Sequence, residues 1–360
     1  MDLEAGGMIQ AALLLADPSA CLRMLVLREL LGRAVDDEEV VELGRLGGSD
    51  PVVADILRSQ NRDGSWSGAR LAWVARVSRL QATSAALQRL GYLGFGPQHQ
   101  AVQEGARYLL SAQQPDGSWP LPSQTDQEQG SLAEPAEGYS MVPLQTAIPL
   151  RGLAACGYAT DPRAERAYDW LLAQRLPDGA WPTGLKGGNY GYVAGYRRLA
   201  HSRWGCRSNT TAALACLALH PARRMSPEAR RALDLLLGRE TRERHTLGFE
   251  VARLVGAEPV RGFFTYHARF DLALVLDLCW RVGAPQDDDR VSGLIAFVLG
   301  LQGPYGFWDY TAKPQAGRWV TFDLLRSLSR IRAPEDGSSN WLSDEPRTPF
   351  QPYPARAKRY

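Results

Sequence analysis

The sequence predicts an all-α protein built from a repeated helical unit, and two observations carry that reading. The first is a turn that recurs along the chain. Gln60-Asn61-Arg62-Asp63-Gly64-Ser65-Trp66 returns as Gln113-Gln114-Pro115-Asp116-Gly117-Ser118-Trp119. It returns again as Gln174 through Asp178-Gly179-Ala180-Trp181, with one inserted residue, and more loosely as Gln302-Gly303-Pro304-Tyr305-Gly306-Phe307-Trp308. The tryptophans are separated by 53, 62 and 127 residues, the last gap holding about two periods, and a period of that size is one supersecondary unit. The second observation is the set of helix starts between the turns. Asp50-Pro51, Asp161-Pro162 and Ser226-Pro227 each open an apolar-periodic run, an N-cap side chain followed by a proline whose fixed φ suits the first helical position.

Each turn has a local physical logic. Asp-Gly or Tyr-Gly makes a tight reversal in which glycine takes the positive φ that other residues resist. The preceding glutamine hydrogen-bonds from the helix end and the tryptophan packs back onto the next unit, so the motif reads as a clasp between repeats. The QxxDGSW pattern resembles the QW motif of the terpenoid cyclase and protein prenyltransferase β-subunit superfamily, and its copies resemble squalene-hopene cyclase repeats over about residues 20–332. That resemblance implies an α/α toroid, an α6/α6 barrel of paired inner and outer helices around a central cavity. Residues 1–332 then form one toroid domain and 333–360 an extended tail rich in proline, serine and charge.

On that plan the inner helices fall at 19–31, 80–90, 144–156, 208–219, 268–280 and 320–331, with Pro149 expected to kink the third. The outer helices begin at Pro51, Gln100, Pro162, Pro227 and Asp287, and a degenerate clasp lies within 238–249. Residues 121–138 are polar and aperiodic, a loop placed where a lid could stand. A second insert, 184–206, crowds Tyr196, Arg197, Arg198, His201 and Arg203 together.

Composition narrows the partners. A net charge of +2 over 360 residues offers no nucleic-acid footprint. Five cysteines, an odd number without a dense framework, suit reduced thiols and a cytoplasmic protein. No window is apolar enough for an integral membrane segment, while peripheral membrane contact through a surface patch stays open.

One polar position is expected to repeat in the first turns of the inner helices: Gln81, Gln145, Asn209, Asp271 and Asp323, spaced by 64, 64, 62 and 52 residues. These side chains either converge at one mouth of the cavity or serve as helix caps and dipole partners. Proton-initiated cyclases of the resembled superfamily use an acidic DxDD motif followed by Thr-Ala, and here Arg207-Ser208-Asn209-Thr210-Thr211-Ala212 stands in that register with all three acids replaced. The resemblance therefore implies a terpene cyclase-like enzyme acting on an isoprenoid or similar apolar ligand, with Asp271 or Asp323 as a non-standard acid. Prenyltransferase β-subunits instead hold zinc with Asp, Cys and His. Cys206, His267 and Asp271 resemble part of that set, with Trp204 where the family has its aspartate, and His267 also counts among the candidate catalytic groups. The cluster Tyr196, Arg197, Arg198, His201 and Arg203 would suit a diphosphate or other anion, and Phe264 and Trp319 precede inner helices where a cavity mouth would be. The readings are thus a cyclase-like enzyme, a zinc-assisted prenyltransferase-like enzyme, or a non-catalytic toroid that binds a lipid or a protein.

Overall fold

A computed structural model describes residues 3–68, 74–75, 77–120, 142–187, 190, 193, 197–239, 245–261, 271–332, 342 and 347–351. Fourteen α-helices lie among the described residues: α1 Leu3–Leu15, α2 Ala20–Glu29, α3 Glu38–Leu46, α4 Pro51–Ser59, α5 Arg79–Tyr92, α6 Gln100–Ser111, α7 Val142–Ala155, α8 Pro162–Ala173, α9 Arg207–Leu217, α10 Pro227–Leu237, α11 Phe249–Leu254, α12 Leu272–Val282, α13 Asp289–Leu299 and α14 Gly317–Arg332. Extended pairing is limited to β1 (Val74–Ala75) running parallel to β2 (Val260–Arg261) and two isolated bridges. The helices expected from the turn-to-turn pattern are all present where described. Helix α7 continues through Pro149. Helices α1, α3 and α11 had no counterpart in the sequence reading.

The helices sort into two kinds by what they bury. Helix α9 is buried at all of its positions, Arg207 through Leu217. Helix α6 buries only Ala101, Val102, Gly105, Ala106, Leu109 and Leu110, a stripe at helical spacing that leaves its other face to solvent. Inner helices pack side by side, α5 on α7, α7 on α9, α12 on α14 and α14 on α2, while α6, α8, α10 and α13 back them from outside. Helix α1 packs on α14, and its Gln10 side chain donates to the Gly306 carbonyl of the fourth turn, so the start of the chain covers the last repeat.

Four turns hold these layers in register by one repeated set of bonds. The indole N–H of Trp66, Trp119, Trp181 and Trp308 donates to the carbonyl ten residues upstream, on Ile56, Leu109, Leu171 and Val298, at 2.7–2.8 Å. The backbone N–H of each tryptophan donates to a threonine hydroxyl on the following inner helix, Thr83, Thr146, Thr210 and Thr321, at 3.0–3.3 Å. Outer helix, turn and next inner helix are thereby tied at buried atoms, where an unmade bond is costly. Gln60 and Gln113 each donate both to the glycine carbonyl of their own turn and to the next outer helix, at Ala101 and Arg163. In the third turn Arg175, not Gln174, holds that position and reaches the Gly179 carbonyl. Gly117 is required twice over, since its φ is +94° and a Cβ there would stand 2.5 Å from the Arg166 carbonyl oxygen.

The degenerate repeat is built differently. Helix α11 leaves the outer layer and packs on the inner helices α5, α12 and α14. Of the tail, residues 347–351 run along α10 and α13: the Thr348 backbone N–H donates to the Asp234 carboxylate, and Arg347 pairs with Asp288 at 3.0 Å.

Candidate functional site

All six inner helices and α11 wall one cavity of about 350 Å³. Its lining comes from the middle and C-terminal parts of the inner helices, with Leu274 nearer a helix start: Leu25, Arg28 and Glu29 on α2, Gln88 and Tyr92 on α5, Arg151 and Ala155 on α7, Ala215 on α9, Leu274, Asp277 and Arg281 on α12, and Asp323, Arg326 and Arg330 on α14. Glu250, Val251 and Leu254 of α11 complete it. The clasps tie the first turns of four inner helices, and Asp323 lies two residues past the clasp threonine Thr321, so the cavity begins just beyond the level of the clasps.

The cavity has two chemically distinct sides. Alanines and leucines at and just past the end of α9 form one; α2, α12 and α14, with the Arg151–Glu250 pair of α7 and α11, bring charge to the other. On the charged side Arg326 is central. It bonds Asp323, lies 3.4 Å from Asp277, and stands 5.3 and 5.8 Å from the Phe322 and Tyr92 ring centres. Arg281 holds the other oxygen of Asp277 at 2.8 Å and the Trp280 indole donates to Asp277 at 3.1 Å. Arg330 pairs with Glu29 and lies over Trp280 at 4.3 Å. Across the floor, Glu250 receives Arg151 at 2.6 Å and Arg253 at 2.6 Å, and Arg253 also reaches Gln88 at 2.8 Å.

Two carboxylates share Arg326, and their environments separate them. Asp277 has two arginines and an indole N–H, which hold it below the ordinary carboxylate range. Burial and the nearby charge of Asp277 push Asp323 up against the pull of Arg326, so Asp323 is the member of the pair that retains a proton most readily. The Tyr92 hydroxyl lies 3.5 Å from Asp323, at the limit of hydrogen bonding.

The polar position expected to repeat does not share one level. Counted from the threonine that bonds each clasp, Gln81 precedes Thr83 by two residues, Gln145 and Asn209 precede Thr146 and Thr210 by one, and Asp323 follows Thr321 by two. Gln81 closes a capping box with Ser78. Asn209 accepts the Leu144 backbone N–H at 2.8 Å, and Gln145 is buried at the start of α7, away from the cavity lining. Asp271 caps α12 and also accepts the Gly248 and Glu250 N–H groups at 2.8 and 2.6 Å. It does at the degenerate repeat what the tryptophan and threonine do elsewhere, tying one element to the next inner helix. Burial pushes its carboxyl up to about 7, against the backbone donors that hold it down. Of the five, the cavity takes in Asp323 alone.

The other expected groups also separate. Arg197 is buried, whereas Arg198, His201 and Arg203 are exposed, and none of them lines the cavity. Arg203 lies over Trp204 at 4.9 Å, and Trp204 packs on Tyr190; the segment fastens to itself next to Cys206, which pairs with Arg198. Trp319 is buried against Tyr92 behind the wall, their ring centres 6.1 Å apart. Tyr196, Phe264 and His267, together with the expected lid at 121–138, lie outside the described residues. Of the zinc set, Cys206 and Asp271 are described and His267 lies outside the described residues. Both oxygens of Asp271 are engaged by backbone N–H groups, Cys206 is a fully buried N-cap, and no group of three possible metal ligands occurs among the described residues.

With repeats, clasps and cavity defined, comparison with known proteins places the chain. Residues 49–192 match the squalene-hopene cyclase C-terminal domain. The chain is thus distantly similar to terpene cyclases. The matched stretch holds the first three clasps and helices α4 to α8, whereas Asp277, Asp323 and Arg326 lie beyond it. The squalene-hopene cyclase of Zymomonas mobilis is 29% identical over 126 residues, 35% of this chain and 18% of that protein. Lanosterol synthase of Candida albicans is 33% identical over 128 residues, 35% of this chain and 16% of that protein. The alignments therefore span less than a fifth of either relative. Among solved structures, a protein from Actinoplanes is 14% identical with a TM-score of 0.46, covering 91% of this chain and 99% of that one. The type II terpene cyclase MstE from Scytonema is 15% identical with a TM-score of 0.33, over 78% and 95%. No helix among the described residues is long and apolar enough to cross a membrane.

Proposed function

We propose that the paired helices form an α/α toroid of the terpene cyclase kind and that the protein is a cyclase-like isomerase acting on an isoprenoid in the central cavity. The single observation that carries this reading is Asp323: a buried carboxyl on the cavity wall, raised by burial and by Asp277, with its neighbouring carboxylate held ionised. A general acid needs its proton at working pH and a path to the reacting atom; the carboxyl of Asp323, raised to about 6, and its place on the cavity wall support that role at mildly acid pH.

The step balances without a cofactor. The Asp323 O–H bond breaks, its proton forms a C–H bond at an alkene carbon, and the alkene pair leaves a tertiary carbocation that the next alkene attacks. Arg326 neutralises the carboxylate left behind, and loss of a proton from the final cation restores Asp323, giving a cyclic isomer of equal mass. The Tyr92 ring offers the cation a π face. Size guides the choice of substrate: at about 30 Å³ for a water-sized group, 350 Å³ holds roughly twelve chain carbons, between a geranyl and a farnesyl chain and well short of a thirty-carbon triterpene precursor. Peripheral membrane contact, the cytoplasmic location and the tail beginning at residue 333 belong to the same proposal.

The test is incubation with farnesol, farnesyl phosphate and geranyl analogues in D2O, followed by mass spectrometry. A cyclic isomer carrying one deuterium, absent with Asp323→Asn, is the expected result. Tight retention of the same compounds without any isomer would instead support a non-catalytic toroid, the reading favoured by α11 occupying part of the lumen.

A further inference from the structure

We propose that Asp234, Asp288 and Arg290 form a docking site for an extended peptide, and that the chain's own residues 347–351 fill it as a strap joining α10 to α13. This goes beyond the cavity chemistry and does not rest on it.

The strap stands where a clasp is missing. In the first two turns the clasp glutamine ties one outer helix to the next, Gln60 to Ala101 on α6 and Gln113 to Arg163 on α8. At the third turn, Arg231 of α10 reaches back to the Asp178 carbonyl at 3.1 Å. Between α10 and α12, residues 238–249 hold no tryptophan, so no indole is there to carry the repeated bond set. The strap bonds to both outer helices instead. The Thr348 N–H donates to the two Asp234 oxygens at 3.1 Å, and the Thr348 hydroxyl donates to the same carboxylate. The Thr348 carbonyl accepts from Arg290 of α13 at 3.0 Å. Arg347 pairs with Asp288, the N-cap of α13, and the Gln351 N–H donates to the Gly238 carbonyl at the end of α10 at 2.8 Å.

The site is shaped for one anchoring threonine. Arg290 reaches Asp234 at 2.7 Å and is held from its other side by Asp288 at 2.8 Å, so α10 and α13 themselves orient the acceptor and the donor that meet the strap. Thr348 is buried, whereas Arg347, Pro349 and Phe350 around it are exposed. Gly238 sets how deep the anchor sits, because a Cβ there would stand 2.4 Å from the Thr348 methyl. A tether of 14 residues, 333–346, joins α14 to the strap, and a short tether supplies an effective concentration of about millimolar. A site of modest affinity is thereby kept filled. Helix α12, which carries Asp277 and Arg281, packs on both α10 and α13, so the strap braces the layer behind the charged wall of the cavity.

The experiment is amide hydrogen exchange read by mass spectrometry on the intact protein. In the parent, residues 347–351 should exchange more slowly than an open chain. Gly238→Ala removes no polar group and only crowds the Thr348 methyl; it should speed exchange in 347–351, α10 and α13 by at least about tenfold while α5 and α7, in the clasped repeats, keep the parent's rates. Thr348→Val, which keeps the shape and deletes the hydroxyl, should do the same. Combining Gly238→Ala with Thr348→Ser, which deletes the methyl and keeps the hydroxyl, should restore most of the protection. Open-chain exchange of 347–351 in the parent, unchanged α10 and α13 in both single variants, faster exchange in every helix alike in both, or no recovery in the double variant would each overturn the proposal.

Discussion

The two ends of the inner helices carry similar numbers of polar residues and use them in opposite ways. At the clasp end, Thr83, Thr146, Thr210, Asn209 and Asp271 each spend their side chains on backbone N–H groups a few ångströms away. At the cavity end, Asp277, Asp323, Arg281 and Arg326 bond chiefly to one another across helices. A polar group committed to the backbone holds a repeat in place; one that faces another side chain over open space is free to meet a ligand. The same residue type, aspartate, sits on both sides of that divide at Asp271 and Asp323.

Breaking the clasp end should give the largest effect. Trp181 is fully buried, and Trp181→Ala should cost about 3–5 kcal/mol of stability by leaving a cavity and an unpaired Leu171 carbonyl; urea unfolding measures it. At the other end, Asp323→Asn should lower turnover of the active prenyl substrate by at least about 100-fold per folded molecule, with some loss of stability because the buried Arg326 loses a charged partner. The parent's kcat should be highest at acid pH and fall as pH rises through the raised pKa of Asp323, because the acid must keep its proton. Asp271→Asn should separate from Asp323→Asn by its turnover: about 1–2 kcal/mol less stable, with turnover retained. Because the folded pKa of Asp271, about 7, exceeds its unfolded value of about 3.9, its contribution is fully present below pH 4 and lost as pH rises toward 7, and the variant's stability curve should be flatter over that window. Smallest of all, Arg203→Ala should stay within about 0.5 kcal/mol of the parent and leave turnover unchanged. A loss of turnover there would return function to the segment beside Cys206.

What the sequence made legible was what is local. The turns announce themselves through glycine, aspartate and tryptophan within seven residues, and the proline-led helix starts needed no tertiary knowledge. The threonine partners were hidden because they follow their tryptophans by 17, 27, 29 and 13 residues, a spacing that loops of different length make irregular. Aligning Gln81, Asn209 and Asp323 by separation alone mixed three helical levels for the same reason. Helix α11 escaped notice since six residues give too little periodicity to register, and its Glu250 and Arg253 look like surface charges until the ring places them inside. The cavity's charged wall was equally invisible: Glu29 stands more than two hundred positions before Asp277, Asp277 and Arg326 are 49 residues apart on different helices, and charged residues on a helix ordinarily face water.

The contact between Gln10 and the fourth turn bears on how many repeats the chain contains. A stack of helical pairs can in principle be lengthened without limit, each new pair docking on the last exposed face. Here Gln10 of α1 donates to the Gly306 carbonyl alongside Gln302, so α1 lies against the fourth turn, where in the first two turns the clasp glutamine reaches on to the next outer helix. A duplicated repeat inserted after Arg332 would find its docking face taken, so growth of this architecture by gene duplication would first require displacing the N-terminal helix.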